Sequence, residues 1–383
     1  MRFRLRFHAV AFCLLIGISA FACSAHAAGE VALDKTYDVV VYGGTSGGVI
    51  AAVQTVKLGK SVLLIEPGEH LGGLSSGGLG ATDIGNKAVI GGLSRDFYHR
   101  IWNHYQKPEA WKQETSEQYL SKRKQPGEET MWTFEPHVAE AIMDGYVADH
   151  KIPLLRKARL DLKRKPTMER GRLQVVFLED GRAVRGKVFI DAGYEGDLLK
   201  VAGCSYHVGR EANATYHETL NGVQVKHAVS HQFNKPVSAY VVPGDKSSGL
   251  LPGVHGDSPG VEGAGDKRVQ AYNFRLALTD KKENQIPFPK PEGYDPLRYE
   301  ILLRYINAGT FDCLQIGNMM PNRKTDTNNN GAFSSDNIGM NYEFPDADYA
   351  TRKKSSKNTF TTTKGSSGSW PTIPECRSAC GMS

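Results

Sequence analysis

Past residue 35 the chain alternates short apolar runs with glycine-rich punctuation. Val39-Val40-Val41-Tyr42 runs into a turn-forming stretch, Gly43 to Gly48. An alanine-rich segment with helical spacing follows, then a second apolar run, Val62 to Ile65, closed by Glu66. Unbroken apolar runs of this length suit strands covered on both faces, and the glycines suit a tight turn between strand and helix. Residues 86–125 read as helical and charged, with Trp102, Tyr105 and Trp111 as packing residues. Pro136 opens another helix in which Val138, Ala141, Ile142 and Tyr146 recur at helical spacing. A strand is expected over Leu154–Leu160, a hairpin from Leu173–Leu178 through Asp180-Gly181 to Ala183, and a buried strand at Val188–Ala192. The sequence GYEGDLLKVAG after it reads as a helix start. Val269, Ala271 and Phe274 suggest a later strand, and Pro243–Gly265 a mobile loop.

Strand, glycine turn, helix, strand and acid, in that order, form a dinucleotide-binding unit, with the acid about 20 residues beyond the first glycine. Gly43 lets the strand turn sharply. Gly44, Thr45, Ser46 and Gly48 surround a helix start whose unsatisfied N–H groups and positive dipole end favour a diphosphate. Ala51 and Ala52 let the helix lie close to the sheet, and Gly59 is a C-terminal cap. Glu66 is placed to accept ribose hydroxyls. The pattern departs from G-x-G-x-x-G in one place: Thr45 stands where the middle glycine is expected.

Leu71-Gly72-Gly73 follows Glu66 within one loop. Here the chain resembles the two-dinucleotide-binding flavoproteins, in which a second glycine pair continues the flavin site, and this favours FAD over NAD. Ser75–Asp83, with Ser76 near its start, is read as a loop packed on a planar cofactor. In resembling proteins the strand near Ala158 offers backbone to adenine, and the strand ending at Asp191 returns to the cofactor. FIDAGYEGDLLKVAG, YHVGREANATYHETLNGVQ, DKRVQAYNFRLALTD and the run from MPNRK to DYATR resemble the FAD-dependent oxidoreductase family, a distant relative of the heterodisulfide reductase flavin subunit. The resemblance covers residues 36–354. It implies an α/β fold: a Rossmann-like FAD-binding domain (36–205), its parallel sheet carrying a β-hairpin or meander, and a mixed α+β substrate domain (206–350). The implied activity is hydride transfer from a small organic donor, carbohydrate-like in one reading, to FAD. An NAD-dependent dehydrogenase is disfavoured, and a non-catalytic fragment or carbohydrate-binding protein is the alternative. No catalytic base is identified.

Charge and cysteine use add a location. Arg2, Arg4 and Arg6 precede an apolar stretch, Ala9–Ala22, and Ala25-His26-Ala27, the organisation of a secretory signal peptide ending near residue 28. Lipidation at Cys23 is the weaker reading. A secreted or periplasmic location follows. Without the leader the net charge falls from +6, leaving 44 basic against 41 acidic residues. No basic stripe points to nucleic acid, and no other segment reads as transmembrane. The six cysteines, Cys13, Cys23, Cys204, Cys313, Cys376 and Cys380, form neither a disulfide framework nor a metal-ligand pattern. His207, Arg210 and Glu211 are candidates to face substrate. Asp326, Asn328, Asn330 and Gly331 match the first half of a calcium loop, but Asn337 holds the twelfth position. A polar loop bonding its own backbone, or a site for a hydroxyl-rich substrate, is favoured there. Asn213-Ala214-Thr215 matches a glycosylation sequon by pattern alone. From Ser355 on, 12 of 29 residues are Ser or Thr and apolar periodicity stops. Residues 351–383 are read as an aberrant tail produced by a shifted reading frame, or as a disordered one.

Overall fold

The computed structural model describes residues 28–121, 123, 127–287, 289–310, 315–328 and 331–369. The leader, Cys13, Cys23, Cys313, Asn330, Cys376 and Cys380 lie outside them.

Strand β1 (Thr36–Tyr42) leads through the glycine turn into α1 (Ser46–Lys57), which returns through Leu58 and Gly59 to β2 (Val62–Ile65). Two helices, α2 (Gly92–Tyr105) and α3 (Ser116–Leu120), occupy part of the stretch expected to be helical. Next come α4 (Pro136–Asp149), β3 (Leu154–Leu155), β4 (Thr167–Glu169), β5 (Arg172–Phe177), β6 (Ala183–Asp191) and α5 (Asp197–Val201). The six strands form one sheet in the order β3-β2-β1-β6-β5-β4. β1 pairs in parallel with β2 and β6, and β2 in parallel with β3, while β4, β5 and β6 pair antiparallel. This is a Rossmann-like architecture with an antiparallel meander.

Central position explains the unbroken apolar run of β1. Successive side chains point to opposite faces. Val41 joins Val49, Ala52 and Val53 of α1 and Val138, Met143 and Tyr146 of α4 in one core. Val40 and Tyr42 join Leu63, Ile65, Val176 and Val184 in the other, beneath the meander. Both faces of the strand are therefore dry, and alternation of apolar and polar residues has no place in it.

The expected strand over 154–160 pairs with β2 only at its first two residues, and Leu160 makes an isolated antiparallel bridge to Leu178. The chain bends at Lys157, φ +52, and Lys157 N and Ala158 N donate instead to the carbonyls of Gly68 and Glu66. No strand forms at Val269–Phe274. Pairing begins just beyond, where Leu276 and Thr279 bridge β8.

The later elements are α6 (Asn213–Tyr216), α7 (Glu300–Asn307), β7 (Gln315–Met320), β8 (Lys324–Asn328) and α8 (Tyr349–Ser369); β7 and β8 form an antiparallel pair. Pro243–Gly265 carries only a single helical turn at Lys246–Ser248. The helix α8 occupies the described part of the segment read as an aberrant or disordered tail, and residues 370–383 lie outside the described residues; polar contacts hold the helix. The Tyr349 hydroxyl donates to Leu160 O, Arg352 grips Asp197, Asn337 donates to Thr359 Oγ1, and Arg298 donates to Asn358 and Thr362. Among the described residues no helix is long and apolar enough to cross a membrane.

Candidate dinucleotide cradle

The turn after β1 is built by close approach. Gly43 sits at φ +101 and donates from its N–H to Ile65 O at 2.7 Å, tying the turn to the end of β2. A Cβ on Gly43 would lie 2.6 Å from Ala192 C and Gly193 N, so the exit of β6 closes over it. A Cβ on Gly48 would be driven into the Gly43 carbonyl oxygen, with Gly43 C and Ala192 Cβ each 3.1 Å away. Helix and strand meet at a distance only glycine permits.

Thr45 has a structural reason to replace glycine. Its hydroxyl accepts from Gly48 N at 3.2 Å, capping α1, and donates to Ala192 O at 2.8 Å. The departure from the glycine pattern thus links the helix start to the end of β6. Ser46 and Gly47 keep N–H groups that have no acceptor within the helix. A Cβ on Gly47 would meet nothing nearer than Thr45 Oγ1 at 3.8 Å, so the space beside this turn is open.

Glu66 lies half-buried at the end of β2. Its Oε2 accepts from Gly44 N at 2.7 Å and its Oε1 from Gly68 N at 2.6 Å. A carboxylate offers roughly four acceptor positions, so about two remain for a ligand hydroxyl pair. Gly72, at φ +100, donates to Gly44 O at 2.8 Å, and Thr45 and Gly72 form a parallel bridge. The second glycine pair is thereby laid directly alongside the first turn. Gly73 lies under Tyr194, whose hydroxyl accepts from Leu74 N at 2.7 Å.

Gly43, Gly44, Thr45, Ser46, Gly48, Glu66, Gly72 and Gly73 therefore converge. The other candidates adjoin them through backbone. Ser76 Oγ donates to Leu71 O. Ala158 is buried and bonded to Glu66 O at 3.1 Å. Asp191 accepts from Gly193 N at 3.0 Å and Leu199 N at 2.9 Å, so its carboxylate organises the β6 exit and the first turn of α5.

That exit carries a charged cluster that motif reading missed. Arg352 donates to both oxygens of Asp197 at 2.8 Å, and to Phe344 O and Pro345 O. Arg352 and Asp197 are both buried. Burial pushes the nearby Glu195 carboxyl above its ordinary value, with the Arg352 charge opposing and the Asp197 charge adding to the rise. The only local sign of this cluster is a run of acids after the β6 exit; its cation arrives from α8.

The remaining polar candidates lie elsewhere. His207, Arg210 and Glu211 line an opening of about 610 Å³ to which no residue of 43–83 contributes, and Arg210 is ion-paired with Asp266. A second cavity, of about 750 Å³, is lined only by residues between 233 and 362, among them Phe233, Lys235, Arg298 and Asp336. Asp326 lies on β8, paired with Arg275 at 3.4 Å. No cluster of potential metal ligands occurs among the described residues.

The FAD dependent oxidoreductase family model matches residues 38–378, and the chain belongs to that family. The match runs into the segment read from sequence as an aberrant tail. Solved structures similar to part of the chain include an L-amino acid deaminase from Proteus vulgaris (20% identity, 45% of this chain, 57% of that one, TM-score 0.31). Others are an L-proline dehydrogenase from P. horikoshii (15%, 46%, 59%, 0.30) and a glycine oxidase from Bacillus cereus (13%, 42%, 56%, 0.28). The chain spans between 56% and 59% of the length of these three proteins.

The family's cofactor is FAD, and the cradle fits it. The glycine turn has no room for Cβ atoms where helix meets strand, the α1 N-terminus offers free N–H donors, and a carboxylate stands at the C-terminal end of β2.

Proposed function

We propose that this chain is a secreted or periplasmic oxidoreductase that passes a hydride from a small organic donor to FAD. The observation that carries the reading is the convergence of the Gly43–Gly48 turn, the α1 N-terminus, Glu66 and the Gly72-Gly73 pair at the C-terminal ends of β1 and β2. Ser46 and Gly47 N–H would face the diphosphate, Glu66 the ribose, and Gly72 and Gly73 the flavin side. Thr45 and Asp191 would hold the loops that form these contacts, and Ala158 would lie beside the adenosine half.

Bound FAD supplies the electron-accepting chemistry; the protein supplies orientation, electrostatics and shelter from water. The division into a cofactor domain (36–205) and a substrate domain (206–350) is part of the same reading, which places the donor between the loop after Gly73 and the later segments. The test is anaerobic mixing of FAD-loaded protein with panels of amino acids, hydroxy acids and sugars, followed by loss of flavin absorbance. Bleaching by one class, reversed by an electron acceptor, supports an oxidase or dehydrogenase. Stable oxidised flavin against every class, in folded and loaded protein, would overturn the catalytic reading.

A further inference from the structure

We propose that Arg275 is an anion anchor on the flavin side of the cradle, taking a carboxylate of the substrate, and that Asp326 holds it in place. The inference rests on the FAD reading above.

A chain of contacts places Arg275 there. Gly72 is bridged to Thr45 at the cofactor turn. A Cβ on Gly77 would sit 3.0 Å from Gly73 O, and one on Gly78 would sit 2.8 Å from Arg275 Cβ. The loop leaving the second glycine pair therefore runs directly against Arg275. Three residues on, Ala81 N donates to Asp326 Oδ2 at 3.3 Å, while Asp326 Oδ1 faces Arg275 Nη1 at 3.4 Å. Leu276 bridges Thr327, which fixes Arg275 and Asp326 side by side on adjacent extended segments.

Arg275 also differs from the structural arginines of this chain. Arg352 spends its guanidinium on two carboxylate oxygens and two carbonyls, all within 3.1 Å. Arg304 spends its own on Glu300 and three carbonyls. Arg275 makes one contact, longer than the usual 2.7–2.9 Å of a charge-assisted bond. A guanidinium carries five donors in a planar fork, and the others on Arg275 meet no acceptor among the described residues. Its side chain is 22% exposed against 5% for Asp326, so the carboxylate lies inside and the cation toward solvent. A fork held from behind by one carboxylate and left open in front is suited to bidentate capture of another. Substrate carboxylate and cofactor diphosphate share this anion chemistry, and the experiment separates them.

The probe is benzoate, with benzamide as its uncharged counterpart, titrated into FAD-loaded protein and followed by the flavin difference spectrum and by thermal shift. FAD affinity is measured in parallel by fluorescence. Wild type should bind benzoate at least tenfold more tightly than benzamide. Arg275→Gln should lose that preference with FAD affinity unchanged, and Arg275→Lys should keep part of it; circular dichroism confirms folding of each. Equal benzoate binding by wild type and folded Arg275→Gln would overturn the proposal. So would a tenfold loss of FAD affinity in Arg275→Gln with benzoate discrimination intact, which would assign Arg275 to the diphosphate. If the wild-type chain takes up no FAD, the cofactor reading fails first, and the thermal shift given by benzoate without flavin still reads the anchor.

Discussion

Alanine at Gly48 and at Gly47 should give opposite results, although the two residues are neighbours in one helix. Glycine to alanine inside a helix gains about 0.5–1 kcal/mol from backbone entropy. At Gly47 the new Cβ meets only Thr45 Oγ1 at 3.8 Å, so the gain is kept, reduced by position in the first turn. At Gly48 the Cβ is driven into the Gly43 carbonyl, and Gly43 is itself pinned by its bond to Ile65 O and by Ala192 behind it. Backbone cannot rotate away as a flexible side chain can. Overpacking of this kind costs about 1–3 kcal/mol, and a rigid partner puts Gly48→Ala at the upper end, for a net loss of about 2 kcal/mol after the helix gain. The helix start would also be displaced from the diphosphate position. Ligand present at 100 times its Kd stabilises a protein by about 2.7 kcal/mol, so the variant should lose that increment too. Thermal unfolding with and without FAD separates the two effects: the midpoint without FAD reads the clash, and the FAD-dependent rise reads the site. Gly47→Ala should match wild type or exceed it without FAD. A Gly48→Ala protein that keeps both the wild-type midpoint and the wild-type FAD response would refute the reasoning.

Glu66→Gln exchanges a charged acceptor for a neutral one, and bonds to charged groups contribute about 1.5–3 kcal/mol. FAD affinity should fall by roughly 10- to 100-fold, read by fluorescence titration; an unchanged Kd would remove Glu66 from the ribose. Arg352→Gln leaves Asp197 buried without its cation, a change that costs about 3–5 kcal/mol, and urea unfolding should show it; a wild-type midpoint would mean that α8 does not dock through this pair. Burial raises the folded-state pKa of Glu195, so its ionisation opposes folding, and that cost is absent at low pH and present once pH exceeds the raised value. Glu195→Gln should therefore raise the unfolding midpoint at pH 7, with the gain shrinking as pH falls toward the ordinary value of 4.5; a gain that grows toward acid would contradict the sign.

The cofactor half of the fold was legible because its signals are local. An apolar run buried on both faces, glycines forced by close approach and an acid at the end of β2 are each encoded within a few residues. The hairpin before β6 and the proline that opens α4 were equally plain. The loop at Ser75–Asp83 could be located, but not its neighbour: nothing near Gly78 in sequence shows that residue 275 packs on it. Periodicity also failed for α8. That helix is held by Tyr349, Arg352, Thr359 and Thr362, polar residues whose partners lie up to 307 positions away, and a hydrophobic pattern cannot report polar docking. The short helix α7 follows a proline-rich stretch and was not anticipated, although Ile301, Leu302, Tyr305 and Ile306 are buried at helical spacing. Thr45 was legible as a departure but not as a link to the β6 exit, because its second partner, Ala192, lies 147 positions away, just beyond β6.

The most direct test of the account is whether the purified chain retains flavin. The protein is incubated with FAD, passed through gel filtration, and its visible spectrum is recorded on the folded peak. The account predicts an oxidised flavin spectrum co-eluting at about one FAD per chain and lost in Gly48→Ala. A folded, monodisperse peak without flavin would contradict it.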